Sequence, residues 1–175
     1  SNSLAISRPE TSSPPITNQA KNPNPVEPED CEIMISFNNR TAGPDAERLA
    51  NRLTSEGHRT FCTKVYCHTM AGDWREATEM GALTCKIYIV LITRGWQDSG
   101  ECQIETRHIK NRLANNEVIV IPVWYDSFDK EYDNQRGHNY WKTWKSYQGV
   151  MMADAGGADK DHLVNTILKM LNSRK

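Results

Sequence analysis

A seven-residue apolar run in the middle of the chain, IYIVLIT at residues 87–93, constrains the fold more than any other feature. It carries no charge and is rich in β-branched and aromatic side chains, so it predicts a strand buried on both faces rather than a helix. Such strands belong to parallel sheets that helices cover on both sides. A polar connection at 94–100 follows, and then a helical segment with Glu101, Cys102 and Glu105. Because open α/β folds bind ligands beyond the carboxyl ends of their strands, we expect a functional site here.

Strands and helices are predicted to alternate along the rest of the folded chain. Strands are predicted at 32–37, 59–64, 87–93 and 117–126, and helices from Asp45 to near Gly57 and at 73–84, 101–113 and 159–171. Polar connections are predicted at 38–44, 65–72 and 94–100, and an irregular aromatic stretch at 127–158 contains a short helix near 140–147. This alternation predicts an α/β domain, a flavodoxin-like three-layer sandwich with a central parallel sheet.

The expected strand order is 2-1-3-4, which places the topological switch point between the first and third strands. The predicted cleft is therefore walled by residues 37–40 on one side and by residues 96–105 on the other. Residues 1–29 hold six of the eight prolines without apolar periodicity, which predicts a disordered tail or linker before one domain at 30–175.

Composition argues against several classes of function. The chain of 175 residues has 21 basic and 22 acidic side chains and a net charge of −1, with no Lys/Arg block, so charge-driven binding of nucleic acid is not expected. No apolar run approaches the roughly 18 residues that span a bilayer, and no signal peptide is visible. We therefore expect no membrane association in this segment.

The cysteines indicate a reducing compartment. Their number, five, is odd, and three of them lie in or beside predicted core elements. Free thiols are therefore expected, as is typical of a cytoplasmic protein.

A metal site is not expected from the sequence. Cys62, Cys67 and His68, taken with His58, do not have the spacing of a zinc knuckle. A receiver domain would share the fold class, but it needs acidic residues after the first strand to hold Mg²⁺. This chain has Asn38 and Asn39 there.

Four segments resemble, in order, the motifs of one family. EIMISFNNR at 32–40 resembles a first strand that ends in Ser-Phe or Ser-Tyr before polar or basic residues, and HRTFCTK at 58–64 resembles the second strand. VIVIPVWYDSF at 118–128 resembles the fourth strand. The third motif is a strand ending in Ser or Thr, an aromatic residue and Ser-x-x-Cys-x-x-Glu, matched by Thr93, Trp96, Ser99, Cys102 and Glu105. From residue 31 to 171, the chain resembles the Toll/interleukin-1 receptor (TIR) domains.

The resemblance implies a substrate and a catalytic residue. One branch of the family cleaves NAD+ between nicotinamide and ribose and needs no further cofactor. Its carboxylate is the Glu of a Trp-x-x-x-Glu motif, which falls on Glu105, whereas the Trp position holds Glu101. The ring of that Trp is missing unless Trp96 or Trp74 substitutes for it. The residues expected to hold the ribose and phosphates and to form the aromatic wall are Phe37, Asn38, Asn39 and Arg40, and Trp96. The chain also departs from some active members by its two asparagines after the first strand and by Thr63 and Lys64 after the second.

The chemistry of this reaction explains why one carboxylate matters. Nicotinamide leaves as a neutral base and needs no general acid, whereas positive charge develops on the ribose. A fixed carboxylate can stabilise that charge. At about 100° per residue, Glu105 lies about 40° around its helix from Ile109, at the margin of the buried stripe and facing the cleft. The alternative is a solvated acidic residue near a helix N-terminus.

Two functions remain open from the sequence. The first is a TIR-type NAD+ glycohydrolase (NAD+ nucleosidase) in innate immune or cell-death signalling, whose product is linear ADP-ribose, a cyclic isomer or a base-exchange product. It requires self-association with other TIR domains, because in the members resembled the neighbour's BB loop, here 65–72, completes the site. The BB-loop residues expected at this contact are Val65, Tyr66, His68, Thr69 and Met70. The second is a non-enzymatic scaffold for TIR–TIR interactions. The loss of the motif Trp at Glu101 favours the scaffold, whereas the presence of Glu105 favours the enzyme.

Overall fold

The computed structural model describes residues 25–69, 74–152 and 160–174, in which a parallel sheet carries helices on both faces. The strands are β1 (Ile33–Ser36), β2 (Thr60–Phe61), β3 (Ile87–Ile92), β4 (Ile119–Tyr125) and β5 (Val150–Met152). The helices are α1 (Asn39–Ser55), α2 (Thr63–Thr69), α3 (Trp74–Thr84), α4 (Arg94–Asp98), α5 (Gly100–Ala114), α6 (Lys130–Gln135), α7 (Tyr140–Trp144) and α8 (Lys160–Asn172).

The sheet has the order β2-β1-β3-β4-β5, and neighbouring strands are parallel. The flavodoxin-like α/β prediction is confirmed, with a fifth strand added at the edge. β5 falls within the stretch predicted to be irregular, and that part of the prediction is wrong. Its three residues form a strand because they pair with the end of β4, from Val123–Val150 to Tyr125–Met152.

Alternate side chains of the strands belong to two hydrophobic cores, as the two-residue period of a strand requires. On β3, Ile89 and Leu91 contribute to the core that contains α1 and α8. Tyr88, Val90 and Ile92 contribute to the opposite core, with α3, α5 and α7. All six residues of β3 are buried, as the apolar run predicted. Tyr88 brings the only side-chain oxygen among these five residues into a core.

The helix after β1 begins at Asn39, earlier than predicted. Asn38 caps it, since its Oδ1 accepts hydrogen bonds from the Thr41 backbone N at 3.2 Å and from the Thr41 hydroxyl at 2.9 Å. The backbone leaves the helical region at Ala42, with φ −142° and ψ 16°. Pro44 therefore stands near the start of a second helical segment, where proline is tolerated. The predicted connection at 38–44 is wrong because this cap starts an extra turn.

Two other predicted connections also contain short helices. Residues 65–69, expected as part of the BB loop, lie in α2, which starts directly after β2 and shortens that strand to two residues. Residues 70–73 lie outside the described residues. Within 94–100, α4 forms because the Thr93 side chain accepts a hydrogen bond from the backbone N of Trp96 at 3.1 Å.

The predicted tail ends a few residues earlier than expected. Pro28–Asp30 forms a 3-10 turn with Pro28 buried, and Val26 packs partly against the core of α3, α5 and α7. Residues 25–29 therefore lie on the domain, because apolar contacts hold them there. Residues 1–24 lie outside the described residues.

Candidate active site

A cavity of about 910 Å³ lies beyond the carboxyl ends of β1 and β3, at the switch point of the sheet. Its residues come from the ends of both strands, from the helices that follow them, from Thr63 and Lys64 at the start of α2, and from Trp74 and Thr78 of α3. Small-molecule sites usually have volumes of about 300–1,000 Å³. The cavity is therefore large enough for a ligand at the upper end of that range.

Glu105 of α5 lines this cavity with only 4% of its surface exposed. The Tyr88 hydroxyl donates a hydrogen bond of 2.6 Å to its Oε1. Burial raises the pKa of Glu105 to about 7, and hydrogen bonds with the hydroxyl groups of Ser36 and Tyr88 lower it, which limits the shift. The alternative of an ordinary solvated helix residue is wrong, because the carboxyl group is enclosed between α5 and the sheet.

Glu105 has only neutral hydrogen-bond partners in the structure. Across residues 25–69, 74–152 and 160–174, no ion pair joins it to a Lys, Arg or His side chain. A buried carboxylate without a counter-ion is energetically costly. The wall of the cavity is therefore suited to a ligand that carries or develops positive charge.

Trp96 does not line the cavity, and the prediction that it forms the aromatic wall is wrong. Its ring is 1% exposed, its centroid lies 4.7 Å from that of Tyr140, and its Nε1 donates a hydrogen bond of 3.0 Å to Ser36 Oγ. The indole turns inwards because α4 directs it into the core. Trp74, which is 38% exposed, supplies an aromatic ring to the cavity instead.

The four residues predicted after the first strand line the cavity: Phe37, Asn38, Asn39 and Arg40. Asn38 is engaged in the helix cap, and Asn39 Oδ1 accepts a hydrogen bond of 3.2 Å from Lys64 Nζ. Phe37 packs partly against the core of α1 and α8. Their contacts with a substrate stay predictions.

A family model described as TIR domain matches residues 33–155. The chain belongs to the TIR domain family. Among solved structures, it resembles the TIR domains in the structure of the activated Roq1 resistosome directly recognizing the pathogen effector XopQ. The TM-score is 0.59 and the identity 17%, over 81% of this chain and 99% of that chain, which shows a shared fold. No curated protein matches this TIR domain significantly.

The BB-loop residues of this TIR domain are only partly described. Val65 packs partly against the core of α1 and α8, and the Tyr66 ring meets Phe61 edge-on at 5.5 Å. His68 and Thr69 belong to α2, but their side chains and all of Met70 lie outside the described residues. Their role in self-association stays a prediction.

Sequence reasoning missed residues that shape this site. Ser36 and Tyr88 were seen only as parts of buried strands, yet Tyr88 donates a hydrogen bond to Glu105 and the Ser36 hydroxyl lowers the pKa of the same carboxyl group. The available signal was chemical, since a hydroxyl group in a fully buried strand needs a partner. Lys64, which we noted only as a departure from the family, lines the cavity as a cation.

Cys102 also lines the cavity, next to Glu105. Burial raises its pKa well above the usual value, and the charge of Glu105 raises it further. The thiol therefore stays protonated and does not act as a nucleophile. Cysteines 31, 62, 85 and 102 are unpaired and buried.

Residues 25–69, 74–152 and 160–174 contain neither a metal-binding cluster nor a membrane-spanning helix. No group of three or more His, Cys, Asp or Glu residues suited to a metal ion occurs in the described part of the chain. In the same ranges, no helix has both the length and the apolar character needed to cross a bilayer.

Proposed function

We propose that this TIR domain is an NAD+ glycohydrolase. The observation that carries the proposal is Glu105, a buried carboxylate with neutral partners on the wall of a cavity of about 910 Å³. NAD+ fits this electrostatic environment, because its nicotinamide nitrogen is cationic and its ribose becomes cationic as the glycosidic bond breaks.

Glu105 acts twice in this reaction. The bond between ribose C1′ and the nicotinamide nitrogen breaks, its electron pair leaves with neutral nicotinamide, and the carboxylate stabilises the cationic ribose. Water then adds to C1′ and gives a proton to Glu105, which yields ADP-ribose, nicotinamide and one proton overall. With a pKa of about 7, Glu105 is suited to take up and release that proton near neutral pH.

The other cavity residues fit the remaining parts of the substrate. Arg40 and Lys64 bring two cations to the cavity, where they would pair with the pyrophosphate. Asn38 and Asn39 offer amide groups for the ribose hydroxyls. Trp74 would take the role first expected of Trp96 and pack against the nicotinamide ring.

We place this activity in innate immune or cell-death signalling after self-association. The structural neighbour supports this proposal, because its TIR domains belong to an activated resistosome that recognises a pathogen effector. Four buried and unpaired cysteines support a cytoplasmic location, because free thiols are typical of reducing compartments.

Nicotinamide release tests the proposal directly. We would incubate the protein with NAD+ at high protein concentration with a crowding agent and compare it with Glu105→Gln. The matched control is Glu117→Gln, which removes a carboxylate that pairs with Arg112 outside the cavity. We expect Glu105→Gln to lose at least about 100-fold in rate, as when a key electrostatic group is removed, and the control to retain it. Measurable turnover at equal rates in all three proteins would exclude Glu105 as the catalytic residue.

A non-enzymatic TIR scaffold is the second candidate. Glu101 favours it, because this residue stands where the NAD+-cleaving members resembled have Trp, and its carboxylate lies 3.9 Å from Arg75. For a scaffold, no protein in the comparison would release nicotinamide, although oligomers form. Glu105→Gln would then assemble as the wild type does.

A further inference from the structure

Four side chains form a buried hydrogen-bond system that ends at the cavity. Trp96 Nε1 donates to Ser36 Oγ at 3.0 Å, and Tyr88 donates to Glu105 Oε1 at 2.6 Å. The Ser36 hydroxyl lies close enough to the Glu105 carboxyl group to lower its pKa. Each of the four is at most 4% exposed. They come from β1, β3, α4 and α5, so the system joins both strands of the switch point to both helices that follow β3.

The direction of these hydrogen bonds follows from the groups involved. An indole nitrogen can only donate, so Ser36 Oγ accepts from Trp96. The hydrogen of the Ser36 hydroxyl is then free to point at Glu105, and an ionised carboxylate is the strongest acceptor nearby. The Tyr88 hydroxyl donates to the same carboxylate. Two hydroxyl donors from neighbouring strands therefore converge on one carboxyl group.

We propose that Tyr88 and Ser36 are positioning residues, whose hydroxyl groups hold the Glu105 carboxylate against the cavity and favour its ionised form. Trp96 acts one step further away, because its N–H orients the Ser36 hydroxyl. The consequence for catalysis rests on the proposed function, whereas the consequence for the charge of Glu105 does not.

Among the residues that the structure describes, the titratable side chains around Glu105 carry no positive charge that could stabilise its ionised form. The titratable side chains that interact with it are Tyr88 on β3, Cys102 on α5, Tyr140 on α7 and Cys85 after α3. Burial raises the pKa of Cys85 to about 11 and that of Tyr140 to about 12, and it raises the pKa values of Tyr88 and Cys102 well above their usual values. All four are therefore neutral at pH 7. Hydrogen bonds are what favours the ionised form of Glu105.

Tyr88→Phe removes one donor and leaves the ring in place. A hydrogen bond to a charged group contributes about 1.5–3 kcal/mol, so the midpoint of Glu105 ionisation should rise by roughly one to two pH units. If the proposed function holds, the rate of NAD+ cleavage should fall about tenfold or more at pH 7 and recover by about pH 9–10. A purely structural defect would lower the rate at every pH.

The experiment uses two readouts on the full chain. The first is the titration of glutamate carboxyl carbons by ¹³C NMR, with the Glu105 signal assigned by its loss in Glu105→Gln. The second is the pH profile of nicotinamide release. The matched control is Tyr125→Phe, because Tyr125 is equally buried and donates a hydrogen bond of 2.8 Å to another carboxylate, Asp45 Oδ2, in the opposite core.

The outcomes separate this proposal from the proposed function. We expect an upward shift of the Glu105 midpoint in Tyr88→Phe and none in Tyr125→Phe. An unchanged midpoint in Tyr88→Phe would overturn the positioning role even if NAD+ is cleaved. A shifted midpoint without turnover in any protein would support the hydrogen-bond system and overturn the proposed function. Ser36→Ala, which removes the second donor, should give a shift in the same direction and serves as the test if Tyr88→Phe does not fold.

Discussion

The carboxyl group of Glu105 serves the proposed reaction, but its ionisation lowers the stability of the folded protein. The proposed reaction needs an ionised carboxylate facing NAD+, but the fold encloses that group, and burial raises its pKa to about 7 from an ordinary value of 4.5. Between these pH values the folded protein holds a proton that the unfolded chain has lost. Stability should therefore fall as the pH rises through this window and level off above about pH 7.

Glu105→Gln should remove this dependence on pH. The difference between the two pKa values corresponds to about 3 kcal/mol at full ionisation. Relative to the wild type, the variant should therefore be more stable at pH 8 than at pH 5, with a free energy of unfolding that is larger by about 2 kcal/mol. Denaturant unfolding at both pH values measures it. The same relative stability at pH 5 and pH 8 would show that Glu105 ionises as freely in the folded protein as in the unfolded chain.

Trp74 gives a second prediction for a single residue. Its ring lines the cavity, with the Arg75 guanidinium 4.9 Å from the ring centroid. Aromatic packing contributes about 0.5–1.5 kcal/mol, so Trp74→Ala should raise the KM for NAD+ by up to about tenfold with little change in kcat. Trp74→Phe keeps a ring and should stay close to the wild type. Steady-state kinetics of nicotinamide release decide this, and a loss of kcat at constant KM would argue against substrate packing.

At the scale of elements, the walls of the site depend on the close approach of α1 and α4. A Cβ atom on Gly95 would lie 2.7 Å from Asn38 Oδ1 and 2.7 Å from Thr41 Cγ2. Asn38 caps α1, and the Thr41 hydroxyl lies 2.6 Å from that of Thr93, which caps α4. The two helix starts therefore hold each other, and neither can move aside freely.

Gly95→Ala should loosen this junction. The overpacking should cost about 1–3 kcal/mol of stability and weaken substrate binding, because Asn38 must leave its position. Gly100→Ala is the matched control, since Gly100 lies in the first turn of α5 with no heavy atom within 4 Å of the added Cβ. It should be neutral or stabilising by up to about 1 kcal/mol. Equal denaturation midpoints for the two variants would contradict the close contact between α1 and α4.

The elements also show which parts of the fold could be predicted from sequence patterns and which could not. The long apolar runs of β3 and β4 and the amphipathic helices α3, α5 and α8 could be predicted, because burial fixes their periodicity. β5 could not, since Val150–Met152 is too short to show a pattern and becomes a strand only by pairing with β4. The turn that starts at Asn39 depends on a cap and on the contact between Thr41 and Thr93, which are far apart in sequence.

For the whole molecule, the predicted strand order located the site but did not predict how the side chains inside it pack. Strand order alone brings residues 37–40 and Glu105 to one cavity, because both follow strands next to the switch point. The inward turn of Trp96 and the hydroxyl groups of Ser36 and Tyr88 depend on side-chain packing between two strands and two helices. The spacing of residues along the sequence cannot predict this packing between separate elements.

Self-association is the prediction that concerns the whole molecule. If a neighbour's BB loop completes the site, as the resemblance to NAD+-cleaving members implies, activity must depend on the fraction of assembled protein. The rate per milligram should therefore rise with protein concentration and reach a plateau, in parallel with the light scattering of the sample. Glu105→Gln is the control for assembly, since it should scatter light like the wild type and release nicotinamide far more slowly. A constant rate per milligram across a range in which scattering shows monomers becoming oligomers would mean that each TIR domain carries a complete site, and the role of 65–72 in catalysis would have to be abandoned.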